Sequence, residues 1–468
     1  MTEFSSLLVA DRGEAARSIQ LVDSTTYPAW LEAQPAAHRA LLGANRFDPA
    51  SAGQSALLND AAGVFSVVAA VAKLAVLTPW CLAKLAETLP AGTYRLNGTG
   101  ETLGAAALGW LLAQHRFTRY KSKPDASAGP RILLTSQPAV IDRLVRLAEA
   151  TALVRDLVDT PASDMGPADL EAAVRALAEH HGARVTVTLG DALEQGYPMI
   201  AAVGAGAERA RAPRLIELDW GRDDAPRLAV IGKGVCFDSG GLDIKSTSGM
   251  RLMKKDMGGA AHALALAGLV MGERLSVRLH LLIPAVENSI SATAFRPGDV
   301  IGSRKGLTVE IDNTDAEGRL VLGDALTRAA EEQPALIIDF ATLTGSARIA
   351  LGPDLPATFV NDEALAAELL AAANNTADPL WRMPFWDGYD EMLKSDLADM
   401  SNSPDGNFAG SITAALFLRR FVPAAIPWIH LDTFAWRPSA KPGRPKGGEA
   451  LGLRAAFALI EQRFADPR

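Results

Sequence analysis

Apolar and polar positions along the chain alternate in blocks that predict strands separated by helices. From about residue 168 onward, short runs rich in β-branched residues follow segments with helical spacing. The predicted helices are Ala168–His180, Ala192–Gly196, Gly259–Met271 and Gly323–Gln333, and the predicted strands are Arg184–Leu189, Met199–Val203, Arg214–Asp219, Arg227–Ile231, Ser276–Pro284 and Ala335–Phe340. Strands separated by helices of this length predict an α/β fold with a central mixed, largely parallel sheet covered by helices.

The part of the chain before residue 150 has the same kinds of pattern on a smaller scale. Strand-like runs at Val67–Val71 and Arg131–Thr135 flank helical stretches such as Glu101–His115. A predicted helix over Ile141–Leu157 ends before Pro161, which cannot continue it. We therefore predict a small N-terminal α/β domain over residues 1–150, without recognised chemistry, and a larger α/β domain over residues 151–468 that carries the chemistry.

Composition narrows the classes of partner and compartment. The formal net charge of the 468 residues is −8, which argues against nucleic acid as a partner. The densest basic stretch, Arg116–Lys123, is typical of a solvated segment and does not change this prediction. The two cysteines, Cys81 and Cys236, form no disulfide framework, which favours a reducing cytoplasm. The most apolar stretch, Val64–Leu89, is interrupted by lysines and a proline, so we predict no membrane span.

Two segments that follow apolar strands are unusually polar. The first, Val230–Gly241, places Lys233 and Asp238 in a glycine-rich turn at the end of a strand, and Lys245 and Asp256 come shortly after it. In open α/β sheets the chemistry gathers at the carboxyl ends of the strands. This segment is therefore a candidate functional site.

The second polar segment, Asn313–Leu320, follows the predicted strand Thr308–Ile311 and precedes a helix. Residues two apart in an extended segment point the same way, so Asp315 and Glu317 can face one site, with Arg319 beyond them. A lone Asp-x-Glu is usually a solvated acidic turn. Here, the glycine-rich strand ends and the nearby cations favour a functional site instead.

Carboxylates that converge on one pocket repel one another unless cations neutralise them. The candidate carboxylates are those of Asp238, Asp256, Asp315 and Glu317. Four formal negative charges are enough for two divalent ions that share bridging carboxylates. The pattern therefore favours a site for two divalent metal ions.

Other common motifs give weaker alternatives. Gly232-Lys-Gly lacks the spacing of a phosphate-binding loop, and Val203–Glu208 lacks the third glycine of a dinucleotide fingerprint. Neither His-Glu-x-x-His nor Gly-x-Ser-x-Gly occurs in the chain. The carboxylate cluster remains the strongest chemical signal.

At these segments the chain resembles the leucyl aminopeptidase family, the cytosol aminopeptidases. Asn313–Leu320 matches the signature octapeptide of that family, and Gly232–Gly241 and Asp256–Ala260 match its other metal-binding stretches in order and spacing. Further matches lie at Asp156–Ala162, Ala341–Gly345, Lys394–Asp396, Ala398–Asp399 and Gly410–Ala415. The resemblance covers about residues 150 to 450 and is thin over the N-terminal part.

The resemblance implies two divalent metal ions per subunit, zinc or manganese. One ion would be bound by Lys233, Asp238, Asp256 and Glu317, and the other by Asp238, Asp315 and Glu317. It also implies that Arg319 holds a bicarbonate, which acts as general base on the metal-bridging water. Lys245 would stabilise the charge that develops on the substrate carbonyl oxygen.

The same resemblance implies peptides with a free N-terminus as substrates, a preference for leucine-like residues, a role in intracellular peptide turnover and a homo-hexamer. The substrate-binding residues would be Met253, Asn313, Thr342, Leu343 and Gly345. The chain departs from the family pattern in Asp432–Trp436, where Phe434 and Trp436 bring bulk near the end of the side-chain pocket. The sequence therefore leaves open which N-terminal side chain of the substrate the pocket prefers.

Two further functions are compatible with the sequence. Clustered carboxylates also serve two-metal phosphoesterases, although those sites usually include histidine ligands, which this cluster lacks. A nucleic-acid-binding or regulatory protein with a peptidase fold is the second alternative, and the acidic net charge disfavours it.

Overall fold

A computed structural model describes residues 2–60, 63–97, 103–123 and 129–465. The chain divides into two compact units, Met1–Ala152 with Ser439–Pro445, and Leu153–Pro438 with Lys446–Arg468. The start of the predicted helix Glu101–His115 lies outside the described residues. Within those ranges, no helix has the length and apolar character needed to cross a membrane.

The first unit is a sheet with helices. Its strands are β1 (Leu8–Ala10), β2 (Arg17–Val22), β3 (Ser55–Asn59), β4 (Phe65–Ala70), β5 (Gly92–Asn97) and β6 (Arg131–Thr135), and its helices are α1 (Tyr27–Glu32), α2 (Ala36–Ala44), α3 (Ala83–Thr88) and α4 (Ala106–Leu112). The strand order is β1-β6-β5-β2-β4-β3, and the neighbours are parallel except β3 and β4. Every residue of α4 is buried, and Trp110 Nε1 donates to the Arg131 carbonyl oxygen at 2.8 Å.

The boundary between the units falls within α5 (Ile141–Asp159). The second unit contains the helices α6 (Pro167–His181), α7 (Asp191–Gly196), α8 (Pro198–Gly204), α9 (Thr247–Met250), α10 (Gly258–Gly272), α11 (Glu317–Ala330), α12 (Gly345–Leu351), α13 (Glu363–Asn375), α14 (Gly410–Arg419) and α15 (Leu453–Arg463). Its strands are β7 (Arg184–Leu189), β8 (Arg214–Trp220), β9 (Arg227–Gly232), β10 (Gly234–Asp238), β11 (Arg278–Asn288), β12 (Val300–Gly302), β13 (Thr308–Glu310), β14 (Leu336–Ala341), β15 (Ala357–Val360), β16 (Trp381–Arg382), β17 (Met400–Ser401), β18 (Trp428–Asp432), β19 (Trp436–Arg437) and β20 (Gly447–Gly448).

The main sheet of the second unit is mixed. Its order is β16-β15-β18-β14-β9-β11-β8-β7, with β10 also paired to β11. The central neighbours β18, β14, β9 and β11 are parallel, whereas β15 pairs antiparallel with β18, and β8 pairs antiparallel with both β11 and β7. The predicted α/β architecture, with two domains and largely parallel sheets covered by helices, is confirmed.

The central elements are buried on nearly all sides. Ten of the eleven residues of β11 are buried, and α10 is apolar around most of its circumference. Strands covered on both faces and helices without a polar face are typical of the middle layer of an α/β protein. The core of the second unit therefore holds the sheet rigidly.

Two predicted elements were wrong. Residues Met199–Val203 were predicted as a strand, but they belong to α8, which begins at Pro198. The Asp324 carboxylate accepts the amides of Met199 at 2.9 Å and Ile200 at 3.3 Å, so a distant residue caps this helix. A short apolar run does not by itself distinguish helix from strand. Helix α11 also begins at Glu317, earlier than the predicted Gly323, because Glu317, Gly318 and Arg319 themselves form its first turn.

The strand order determines where the site lies. Strands β9, β14 and β18 are parallel neighbours, with Gly232 opposite Phe340 and Ala341 opposite Asp432. Their carboxyl ends therefore meet at one edge of the sheet, which places Lys233, Thr342 and Asp432 close together.

Candidate metal centre

The two polar segments meet at this edge of the sheet. Lys233 follows β9, Asp238 ends β10, and Asp256 lies in a 3-10 helix over Met253–Met257. Lys233 Nζ is 2.6 Å from Asp256 Oδ2 and 2.8 Å from Glu317 Oε1. The carboxylates of Asp256 and Glu317, which are distant in sequence, thus contact the same amine.

Two glycines make this close approach possible. A Cβ on Gly318 would lie 2.6 Å from Lys233 Cε and 2.7 Å from its Nζ. A Cβ on Gly259 would lie 2.2 Å from the Phe340 carbonyl oxygen, where α10 starts against β14. Any larger residue at these positions would displace the lysine or the helix.

The cluster is electrostatically unbalanced. Burial alone lowers the pKa of Lys233, but the carboxylates around it outweigh burial and raise that pKa. Burial and the neighbouring Asp238 carboxylate raise the pKa of Asp315 and of Glu317. Burial also acts to raise the pKa of Asp256, but Lys233 and Lys255 lower it overall. The carboxylates outnumber the amines that face them, so the site favours additional positive charge.

The donor set fits divalent metal ions. One carboxylate oxygen from each of Asp238, Asp315 and Glu317 lies within 4.8 Å of the other two. Hard oxygen ligands at this spacing, with two of the three carboxylates buried, suit ions that bridge shared carboxylates. As a ligand, Lys233 has to be a neutral amine, and adjacent metal ions would favour that form.

Neighbouring polar groups orient the carboxylates. Asn288 Nδ2 donates to Asp238 Oδ1 at 3.0 Å, and Thr342 Oγ1 donates to Asp256 Oδ1 at 2.9 Å. The side-chain oxygen of Asn313 accepts the Asp315 amide at 2.8 Å, which fixes the turn that leads into Asp315. Such partners hold ligands in one geometry and tune their basicity. Sequence reasoning missed Asn288, because the predicted strand ended at Pro284 whereas β11 continues to Asn288.

Lys245 follows the glycine-rich turn in the sequence, and its amine contacts the same group of carboxylates. Its Nζ is 2.7 Å from Asp238 Oδ2 and also pairs with Asp315. Burial acts to lower the pKa of Lys245, but Asp238 and the other carboxylates raise it overall. The structure therefore presents a charged amine directly beside two of the candidate metal ligands.

Arg319 is buried in the first turn of α11. Its Nη1 donates to the Asn402 carbonyl oxygen at 2.7 Å, and its Nε has no hydrogen-bond partner among the described residues. Burial lowers the pKa of Arg319 to about 10, so the guanidinium stays charged at neutral pH. A buried guanidinium with donor capacity left over suits a small anion.

A cavity of about 560 Å³ opens beside the cluster. Four of the predicted substrate-binding residues line it, namely Met253, Thr342, Leu343 and Gly345. The fifth, Asn313, is not among the lining residues and serves the Asp315 turn instead. Phe434 lines the cavity, whereas Trp436 is buried next to Lys254, whose Nζ is 5.6 Å from its ring centroid.

Three charged lining residues were not predicted from the sequence. These are Lys255, Arg348 and Asp432. Lys255 directly precedes Asp256 in the sequence, and a lysine beside that candidate aspartate was a signal that sequence reasoning did not use. A larger cavity of about 820 Å³ elsewhere is lined by Glu363 and Arg382, which pair with each other.

Models of known protein families match both the N-terminal part and the larger C-terminal part of the chain. A model of the cytosol aminopeptidase family, catalytic domain, matches residues 152–457, and a model of the M17 aminopeptidase N-terminal domain matches residues 18–131. A probable cytosol aminopeptidase of Syntrophotalea carbinolica is 43% identical over 370 residues, which are 76% of this chain and 74% of the relative. The probable cytosol aminopeptidase of Caulobacter vibrioides is 39% identical over 385 residues, 79% of this chain and 77% of the relative.

Solved structures with the same fold include the cytosol aminopeptidase from Coxiella burnetii. It is 44% identical, with a TM-score of 0.92, and the match covers 98% of this chain and 99% of that one. The bottromycin maturation enzyme BotP in complex with Mn is 32% identical, with a TM-score of 0.85, over 96% of this chain and 100% of that one.

Proposed function

The chain belongs to the cytosol aminopeptidase family of metallo-exopeptidases, and from that premise we propose that it releases leucine-like N-terminal residues from peptides, in peptide turnover in the cytoplasm. Residues 151–468 carry out this catalysis, and residues 1–150 contribute no chemistry of their own. The main support for the proposal is that carboxylate oxygens of Asp238, Asp315 and Glu317 lie close together beside a cavity.

The metal ligands are Lys233, Asp238, Asp256, Asp315 and Glu317. The carboxylates and Lys233 that converge at the strand ends support this set. Two zinc or manganese ions, when bound, polarise the peptide carbonyl and lower the pKa of the attacking water. The relative BotP was solved with manganese, which supports testing that metal first.

Two residues of the chain act on the reacting groups. Lys245 donates to the carbonyl oxygen as negative charge develops there, because its amine is charged and lies beside Asp238 and Asp315. Arg319 would hold a bicarbonate, which would supply a general base for the attacking water. Its buried charge and its free Nε support this role.

The substrate lies along the cavity. Met253, Thr342, Leu343 and Gly345 contact the N-terminal side chain, and the apolar surface of Met253 and Leu343 supports acceptance of leucine-like residues. Asn313 supports the site through the Asp315 turn. Nucleic acid and membranes are not proposed as partners.

The test is a panel of amino-acyl anilides, assayed after the metal is stripped and again after zinc or manganese is reloaded. We expect no turnover of leucine anilide without metal and its recovery on reloading. Failure of every metal to restore hydrolysis of every anilide would refute the peptidase. An aryl phosphate in the same panel separates the phosphoesterase alternative, since turnover of that ester alone would favour it.

A further inference from the structure

One wall of the cavity carries two cations that the proposed mechanism does not use. Lys255 and Arg348 both line the cavity and both approach the ring of Phe434. Lys255 Nζ is 5.5 Å from the ring centroid, and Arg348 Cζ is 5.1 Å from it. A cation over an aromatic face is attracted by the ring, so Phe434 helps to keep both charges at the same wall.

The Lys255 amine has few protein partners for a buried cation. The residue is 5% exposed, and its ion pair with Asp256 is a long one, 3.4 Å from Nζ to Oδ1. That carboxylate already accepts a hydrogen bond from Thr342 and contacts Lys233 at 2.6 Å. An ammonium group has three donors, so Lys255 keeps donor capacity for a molecule in the cavity.

Arg348 adds a second charge at the same place. It lies in α12 and is exposed, and it forms no ion pair within the described ranges. A guanidinium stays charged at any physiological pH and matches the planar geometry of a carboxylate. Its five donors are therefore available to an anionic group.

Among the described residues, the one lining carboxylate outside the carboxylate cluster, that of Asp432, is held by other donors. Asp432 lines the cavity, but its oxygens accept the amides of Leu343 at 3.0 Å and Thr344 at 3.2 Å, and the Thr344 hydroxyl at 2.6 Å. These bonds use the carboxylate to hold the turn after β14. The positive charge of Lys255 and Arg348 is left facing the cavity.

The two cations are close in sequence to residues proposed to contact the substrate side chain. Lys255 is two residues after Met253 in the same 3-10 helix, and Arg348 is three residues after Gly345 in α12. A side chain that enters between these elements meets apolar surface from Met253 and positive charge from the neighbouring turn. The chemistry at this wall therefore matches an acidic side chain with a short apolar stem.

We propose that this pocket also accepts peptides whose N-terminal residue is glutamate or aspartate, with Lys255 and Arg348 as the specificity-determining residues that bind the side-chain carboxylate. The inference rests on the proposed function, because it assigns a substrate class to the same site. Hydrogen bonds between a charged donor and a carboxylate are short and strong, and burial, as at Lys255, strengthens them.

The test compares kcat/KM for glutamyl, aspartyl and leucyl anilides with the metal-loaded full-length enzyme and three variants. Lys255→Met and Arg348→Met remove the charges, and Lys254→Met is the matched control, since Lys254 donates to the Asp159 carbonyl outside the cavity. The ratio of glutamyl to leucyl turnover is measured within each preparation, so it does not depend on the fraction of folded protein.

We expect the wild-type enzyme to hydrolyse both classes of anilide. Lys255→Met should lower the glutamyl-to-leucyl ratio by about tenfold to a hundredfold, the effect of losing a charged hydrogen bond. Arg348→Met should lower it less, because water screens an exposed charge, and Lys254→Met should leave it unchanged. Leucyl turnover without acidic turnover, or a ratio that Lys255→Met leaves intact, overturns the inference. Loss of turnover on every anilide would instead refute the proposed function.

Discussion

Three lysines of the cavity differ in electrostatic environment although they share one residue type. The carboxylates around Lys233 and Lys245 outweigh the effect of burial and raise the pKa of each. Burial lowers the pKa of Lys255, whose ion pair with Asp256 is a long one at 3.4 Å. These differences separate a proposed metal ligand, a proposed catalytic amine and a proposed specificity residue.

Replacement of Lys245 by alanine tests its catalytic role. The variant should keep its metal, because the lysine pairs with ligands without being one, and should lose about a hundredfold to a thousandfold in kcat. Metal content is measured by elemental analysis and kcat with leucine anilide. Lys254→Ala is the matched control. Metal loss in Lys245→Ala would mean that the amine stabilises the cluster instead.

Arg319→Ala should also keep its metal and lose most of its turnover. The guanidinium is buried and offers a free Nε, so the alanine variant has no site for the anion. Added bicarbonate should raise the turnover of the metal-loaded wild-type enzyme assayed in bicarbonate-free buffer, and the variant should not respond. An equal response in both proteins would contradict the anion-binding role.

At the scale of elements, the first turn of α11 is packed tightly against Lys233. A methyl group on Gly318 would lie 2.7 Å from the amine, so Gly318→Ala should displace it and weaken metal binding at least about tenfold. A metal titration followed by calorimetry measures this affinity. Gly302→Ala is the control, because a Cβ there has nothing within 4 Å. Equal affinities in the two variants would show that Lys233 does not bind the metal.

Helix α8 depends on Asp324, whose carboxylate accepts the amides of Met199, Ile200 and Arg304. Burial raises the pKa of Asp324 from 3.8 to about 7. Because the folded pKa is the higher one, the stabilising contribution is full below about pH 4 and is lost as the pH rises through 7.

The stability advantage of the wild-type protein over Asp324→Asn should therefore shrink between pH 5 and about pH 8. Urea denaturation midpoints of both proteins across this range measure the difference. Asp224→Asn, at an exposed ion pair, should show no such pH trend. A constant difference across the range would mean that Asp324 is ionised throughout.

At the scale of the whole molecule, the second unit exposes large apolar side chains. Ile349, Leu397 and Phe408 are 81%, 72% and 83% exposed in the single chain. Exposed apolar surface is commonly covered by self-association. We therefore expect light scattering to give a mass six times that of the chain, as the family resemblance implies. A concentration-independent monomer mass would contradict the hexamer.

The family and the architecture were predictable from local patterns in the chain. The motifs Gly232–Gly241, Asp256–Ala260 and Asn313–Leu320 are local, and each can be read from a short run of residues. The alternation of strands and helices also has a local cause, the periodicity of buried positions. For these reasons a single sequence was enough to predict a two-domain α/β protein and an aminopeptidase.

Tertiary structure alone decided which residues meet. Strand order brings Thr342 and Asp432 beside Lys233, and helix α8 forms where Asp324 caps it from far along the chain. It also places Lys255 and Arg348 against Phe434. Phe434, a bulky residue that departs from the family pattern, therefore lies in a charged wall of the cavity. These relations are contacts between segments distant in sequence, and no local pattern of residues encodes the distance between them.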